Sequence, residues 1–92
     1  MNKLERIGFF TIAMRLSVAL RYRVTEKDIN KLVYGWNKKR ERHGRNPIPF
    51  RQRVKDEVAW QKRHHLPINR ERFMFVDELE LFSRYVGYDL TK

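Results

Sequence analysis

Lysine and arginine side chains are concentrated in the first three quarters of this 92-residue chain. Residues 1–70 hold 18 of them against 6 acidic residues, whereas residues 71–92 hold 3 against 5, and the net charge is +10. Such a field attracts polyanions, and each phosphate neutralised by a lysine or arginine releases counterions. The charge pattern therefore predicts a nucleic-acid ligand. Simple solubility, an acidic protein partner and an acidic membrane surface are the weaker interpretations.

Residues suited to covalent or metal chemistry are few and poorly spaced. The histidines are His43, His64 and His65, and neighbouring residues on a helix point about 100° apart, so His64 and His65 do not converge on one ion. The carboxylates of Asp56–Glu57 and of Asp77, Glu78 and Glu80 are typical of helix first turns and exposed surfaces. With no cysteine in the chain, we predict no enzyme activity, no metal and no cofactor.

Two breaks divide the chain into three blocks. His43–Phe50 contains a glycine and two prolines, and His64–Asn69 contains Pro67, which disfavours helix at the preceding residue. The length suits one hydrophobic core rather than two. We therefore predict a single basic globular domain over residues 1–92.

The first block fits either a helix or a strand. From Phe10 to Val24 the even positions are apolar, which indicates a half-buried strand. A strand of that length would extend about 50 Å, which is too long for a small domain, and the residues are good helix formers. We favour a helix that is buried as the central element of a bundle.

A second helix is clearly indicated after Thr25. Thr25 is a suitable N-cap, and Glu26 and Asp28 lie in the first turn, where the helix dipole favours acidic side chains. The helix is expected to end near His43–Gly44. Its apolar face comprises Ile29, Leu32, Val33 and Trp36.

The remaining blocks complete a mainly α fold. Val54, Val58 and Trp60 predict a surface helix after the proline loop, and Phe75, Leu79, Phe82 and Val86 predict a last helix capped by Asn69 or by an Asp77–Glu80 capping box. We expect a bundle of three to four helices with a helix-turn-helix-like hairpin. The alternative is an α+β fold with strands at residues 10–24 and 72–76.

The segment from Ala19 to Leu32 resembles the helix-turn-helix class of DNA-binding domains over about 15 residues. In that class the second helix lies in the major groove. Arg23 occupies the turn position where the family usually has glycine with a positive φ. A plain helical hairpin is the alternative. The resemblance is carried by five apolar positions, namely Ala19, Tyr22, Val24, Ile29 and Leu32.

The resemblance implies that the second helix faces the nucleic acid. Its outward side chains would then reach base edges, and the basic residues that follow would contact phosphates or a minor groove. DNA is favoured over RNA, although aromatic residues beside basic ones also suit unpaired bases. The predicted site comprises Lys27, Asn30, Lys31, Tyr34, Lys38, Lys39, Arg40, Arg42, Arg45, Arg51 and Arg53.

A protein partner is the second hypothesis. The C-terminal block is acidic and aromatic, with Phe73, Phe75, Phe82, Tyr85 and Tyr88, and it could dock on a larger complex such as an RNA polymerase, a ribosome or a nuclease. The first hypothesis remains a small DNA-binding regulator.

No uncharged stretch is long enough for a membrane span, so we expect a cytoplasmic protein without a membrane partner.

Overall fold

The computed structural model describes residues 5–92, and it contains four helices and one two-stranded antiparallel sheet. This confirms the predicted mainly α bundle, and it places a strand inside the 72–76 window. The elements are β1 (Arg6–Gly8), α1 (Phe9–Leu20), α2 (Glu26–Arg42), α3 (Phe50–Arg63), β2 (Phe73–Phe75) and α4 (Val76–Val86).

The alternative of a strand over residues 10–24 is wrong, because α1 occupies most of that segment. The buried residues of α1 are Phe9, Ile12, Ala13 and Leu16, which follow helical spacing. The even-numbered apolar residues that suggested a strand include Phe10, Met14 and Val18, and these are exposed. The helix therefore buries one side only, and it is not the fully buried central element that we expected.

The sheet fixes where α1 and α4 begin. Ile7 pairs with Met74 at the centre of the register, and each helix starts at the residue after its strand. Glu71 accepts a hydrogen bond from the Phe10 N–H at 2.8 Å. Since Gly8 has no side chain to cap α1, this carboxylate satisfies one of the free N–H groups of its first turn.

The turn between α1 and α2 is organised by Ser17. Its hydroxyl donates to the Ala13 carbonyl and accepts from the Val24 N–H, at 2.7 and 2.8 Å. Arg21 ends α1 with φ of 61°, a conformation that costs a residue with a side chain about 1 kcal/mol or more. The positive φ thus falls on Arg21 and not on Arg23, where the helix-turn-helix resemblance placed it.

The start of α2 is as predicted. The Thr25 hydroxyl accepts from the Asp28 N–H, and Asp28 accepts from the Thr25 N–H at 2.9 Å, so that both halves of a capping box are present. The helix ends at Arg42, and Gly44 follows with φ of 73°, in agreement with the predicted end.

This capping box makes stability depend on pH. The backbone N–H and then the hydroxyl of Thr25 hold the pKa of the Asp28 carboxyl below its ordinary value of 3.8. Because the folded-state pKa is the lower one, the stabilisation is complete above pH 3.8 and is lost as pH falls through the folded-state pKa. We expect urea denaturation to find Asp28→Asn less stable than wild type at pH 7, with the difference shrinking at acidic pH. A difference that stays constant down to pH 2 would contradict this role.

Residues from all four helices and from β2 form one core. Trp36 packs against Phe82 with ring centroids 5.3 Å apart, which confirms Trp36 as a core residue. Phe50 at the start of α3 meets Phe9 edge-on at 5.4 Å. The largest fully buried side chains are Phe9, Ile12, Ile29, Met74, Leu79, Phe82 and Leu90.

Two sequence-based details of α3 and α4 are wrong. Phe50, Val58 and Gln61 are the buried residues of α3, whereas Trp60 is exposed and lies against His64. Helix α4 starts before Asp77, and its first turn is capped by Glu78, which accepts from the Phe75 N–H at 3.0 Å.

Asn69 does not cap a helix. Its side chain accepts from the Glu71 N–H in the segment before β2.

Candidate nucleic-acid interface

One exposed face of α2 carries basic side chains along its whole length. Its members follow each other at steps of three and four residues, so they share one side of the helix, opposite the buried Ile29, Val33 and Trp36. Tyr34 stands near the middle with 67% of its surface exposed, and the Lys38 ammonium lies 5.3 Å from its ring centroid. Glu41 is exposed near the C-terminal end. We call this surface the outer face of α2, and it comprises Lys27, Lys31, Tyr34, Lys38 and Arg42.

The cations of the outer face are not neutralised by contacts within the described chain. The two ion pairs in residues 5–92 join Arg6 to Glu57 at 2.6 Å and Arg53 to Glu78 at 2.5 Å. Lys27 and Arg42 are 15 residues apart, and an α-helix rises about 22 Å over that separation. The outer face is therefore a convex row of mainly positive charge.

A groove of about 570 Å³ lies between α2 and the first turns of α3. Tyr34 forms one edge, and Arg51 and Lys55 stand one helical turn apart on the α3 side. Arg72, in the segment before β2, lines it as well. We call this recess the α2–α3 groove. It extends the positive charge of the outer face onto a second helix.

Lys55 and Arg72 were not among the site residues predicted from the sequence. Lys55 could have been predicted from its four-residue spacing with Arg51, because that spacing places both side chains on one side of α3. Arg72 joins the groove only through the tertiary fold, since its guanidinium donates to the Asn30 side-chain oxygen at 3.0 Å.

The two asparagines of the α2–α3 groove serve the fold. Asn37 accepts from the Ile48 N–H at 2.8 Å and donates to the Ile48 carbonyl at 3.0 Å, which ties the proline loop to α2. Asn30 uses its oxygen to accept from Arg72. Bidentate reading of adenine needs both the oxygen and the amino group of an asparagine, so Asn30 is poorly placed for that contact.

Arg53 does not belong to the exposed basic surface, contrary to the prediction. Its guanidinium makes a two-pronged contact with Glu78, at 2.6 and 2.5 Å, and lies 4.7 Å from the Phe75 ring centroid. Both partners are largely buried. Arg53 therefore attaches α3 to the start of α4.

Three further predicted residues lie on the other side of α2. Lys39, Arg40 and Arg45 line a groove of about 540 Å³ between the end of α2, the following loop and α4. Arg40 also donates from Nε to the Asn46 carbonyl at 3.0 Å. We call this recess the α2–α4 groove, and its lining residues are Trp36, Lys39, Arg40, His43, Arg45, Leu81, Arg84 and Tyr85. The predicted site is thus divided between two surfaces separated by the thickness of α2.

The positions behind the helix-turn-helix resemblance differ in burial. Val24 and Ile29 are buried, and Leu32 is partly buried against the core. Ala19 and Tyr22 are exposed instead of packing beneath the second helix.

No group of three histidine or acidic side chains within residues 5–92 is arranged to hold a metal ion. None of the four helices in residues 5–92 combines the length and the apolar character needed to cross a bilayer.

Comparison of the chain with protein-family models, with curated proteins and with solved structures finds no match.

Proposed function

We propose that this protein binds nucleic acid through the outer face of α2 and the adjoining α2–α3 groove, and that duplex DNA is its main ligand. The observation that carries the proposal is the row of exposed cations along one convex helix, which have no ion-pair partner within residues 5–92. A B-form major groove is about 12 Å wide and admits an α-helix, whereas the deep groove of A-form RNA does not.

Different side chains have different tasks in this proposal. Lys27, Lys31 and Tyr34, in the N-terminal half of the outer face, are directed to base edges, and this contact would let the protein act as a regulator. Arg51 and Lys55 across the α2–α3 groove contact phosphates and fix the orientation of the helix. Because Ala19 and Tyr22 are exposed, the proposal rests on the charge of α2 and not on the helix-turn-helix resemblance.

Salt dependence is the direct test of this charge-based binding. With four basic residues on phosphates, namely Lys38, Arg42, Arg51 and Lys55, the logarithm of affinity for a 20-base-pair duplex should fall against the logarithm of salt with a slope of about −4. Fluorescence anisotropy between 50 and 300 mM salt measures the slope, and a hairpin RNA of equal charge measured in parallel distinguishes the two ligands. Absence of binding to both at 50 mM salt would refute the proposal.

The α2–α3 groove has its own test. Arg51→Gln with Lys55→Gln removes two exposed cations that make no ion pair in the described structure, and it should make the salt slope shallower by about 2 while thermal stability is kept. Lys62→Gln with Arg63→Gln is the matched control, since these residues lie at the other end of α3 and do not line the groove. Equal changes in the two variants would remove the groove from the proposed interface.

A protein-docking function is the second candidate, and α1 provides its motivation. Phe10, Met14 and Val18 form an apolar stripe with 56, 54 and 80% of their surfaces exposed, and such stripes are frequent in protein interfaces. The aromatic residues of the C-terminal block offer a smaller surface, because Phe82 is fully buried and Tyr88 is the one exposed residue among the five. Capture of a partner that survives nuclease treatment, and its loss in Met14→Lys with Val18→Lys, would favour this second function.

A further inference from the structure

The α2–α4 groove gathers cations that the proposed DNA interface does not use. Lys39 and Arg40 come from α2, Arg45 from the following loop and Arg84 from α4, and His43 lies beside them. None of the lining residues is acidic, and neither ion pair of residues 5–92 involves this groove. Basic side chains from three segments of the chain thus meet around one recess.

Helix dipoles do not neutralise this cluster of cations. The C-terminal ends of α2 and α4 lie at residues 42 and 86, and each end carries about half a negative charge. Together they balance roughly one of the four permanent positive charges in the groove. The lining residues therefore keep a net positive charge, which an anionic ligand would neutralise.

The floor of the groove is aromatic. The Trp36 and Tyr85 ring centroids are 6.4 Å apart, and the Lys39 ammonium lies 5.6 Å from the Tyr85 centroid. Gly35 permits this arrangement, because a Cβ at that position would lie 3.1 Å from the Tyr85 hydroxyl. Leu81, with 39% of its surface exposed, adds an apolar wall. The recess thus offers both cations and a flat apolar surface.

We propose that the α2–α4 groove is a binding site for the phosphate monoester of a nucleotide, with the phosphate held by Arg45, Arg84 and Lys39 and the nucleoside resting on Tyr85 and Leu81. A monoester is a compact dianion, which suits cations that converge from three segments, whereas the linear row on the outer face suits a chain of single charges. The volume of about 540 Å³ lies in the usual range for small-ligand sites.

Two sources can supply this group, namely a free mononucleotide or the 5′-phosphorylated end of a nucleic-acid chain. Titration calorimetry of the full chain with AMP and with adenosine tests the shared chemistry. We expect AMP to bind and adenosine not to bind. We expect Arg45→Gln with Arg84→Gln to lower the affinity for AMP by at least about tenfold, since two charge-assisted hydrogen bonds are lost.

The matched control is Lys62→Gln with Arg63→Gln, which removes the same charge from the last turn of α3, outside both grooves, and should leave AMP affinity within about twofold. Thermal melting establishes that both variants are folded. If Arg45→Gln with Arg84→Gln does not fold, Lys39→Gln takes its place. Equal binding of adenosine and AMP, or an unchanged AMP affinity in folded groove variants, would overturn the inference.

Oligonucleotides separate the two sources and separate this site from the proposed function. A preference of about tenfold for a 5′-phosphorylated single strand over its 5′-hydroxyl counterpart, lost in Arg45→Gln with Arg84→Gln, identifies a chain end as the ligand. AMP binding without that preference identifies the free nucleotide. If AMP binds while duplex DNA without terminal phosphates does not, the site is supported and the DNA-binding function fails.

Discussion

Reversing the charge of Lys27 and Lys31 to glutamate should lower the affinity for duplex DNA by about a hundredfold at 0.1 M salt, because two cations that face the nucleic acid become two anions. Both residues are exposed on the outer face of α2. The helix should tolerate the change, since Lys27 lies in the first turn, where acidic side chains are favourable. Fluorescence anisotropy measures the affinity, and circular dichroism checks the fold.

The matched control for this variant is Arg70→Glu with Lys92→Glu. Both residues are exposed, neither lines the α2–α3 groove, and the net charge changes by the same amount. We expect an effect of less than about tenfold, which reflects the long-range field alone. A similar loss in both variants would mean that net charge, and not the outer face of α2, determines binding.

Replacing Arg53 by alanine should cost about 3 kcal/mol of unfolding free energy, because the Glu78 carboxylate would stay largely buried without its guanidinium partner. The contacts of Arg53 with the Phe75 and Phe50 rings would be lost as well. Urea denaturation at pH 7 measures the change. The DNA affinity of the folded fraction should stay within about threefold of wild type, since Arg53 is not part of the outer face.

Arg51→Ala is the informative comparison, since it lies two residues away and is exposed. It should change the unfolding free energy by about 0.5 kcal/mol or less and should weaken DNA binding. Arg53→Met combined with Glu78→Gln should recover part of the stability lost in Arg53→Ala, because the glutamine can still accept from the Phe75 N–H while no charge remains buried. Equal destabilisation by Arg51→Ala and Arg53→Ala would contradict the assigned roles.

Local signals were sufficient to predict α2. Thr25, Asp28 and Gly44 act through neighbours within a few residues, so the sequence alone locates both ends of the helix. The strand-like alternation in α1 was misleading because periodicity does not reveal which apolar residues are buried. Phe10, Met14 and Val18 are exposed, and only the tertiary arrangement distinguishes them from Ile12 and Leu16.

The predicted site shows the same limit. Lys27 and Lys31 could be assigned to an exposed face from helical spacing. Arg53 could not be separated from Arg51 in the same way, because its partner Glu78 lies 25 residues further along the chain. The division of the basic residues between two grooves depends on Arg72 and Arg84, whose positions follow from the packing of β2 and α4.

The pairing of Ile7 with Met74 has a consequence for any attempt to divide this domain into fragments. A ladder of two three-residue strands is not stable alone, so the helices hold it together, while it fixes the starts of α1 and α4. A fragment of residues 1–45 contains α1 and α2 but lacks Met74, Leu79 and Phe82 from its core. We therefore expect the outer face of α2 to be well ordered only in a polypeptide that includes both strands, and peptides of α2 to be poor substitutes for it.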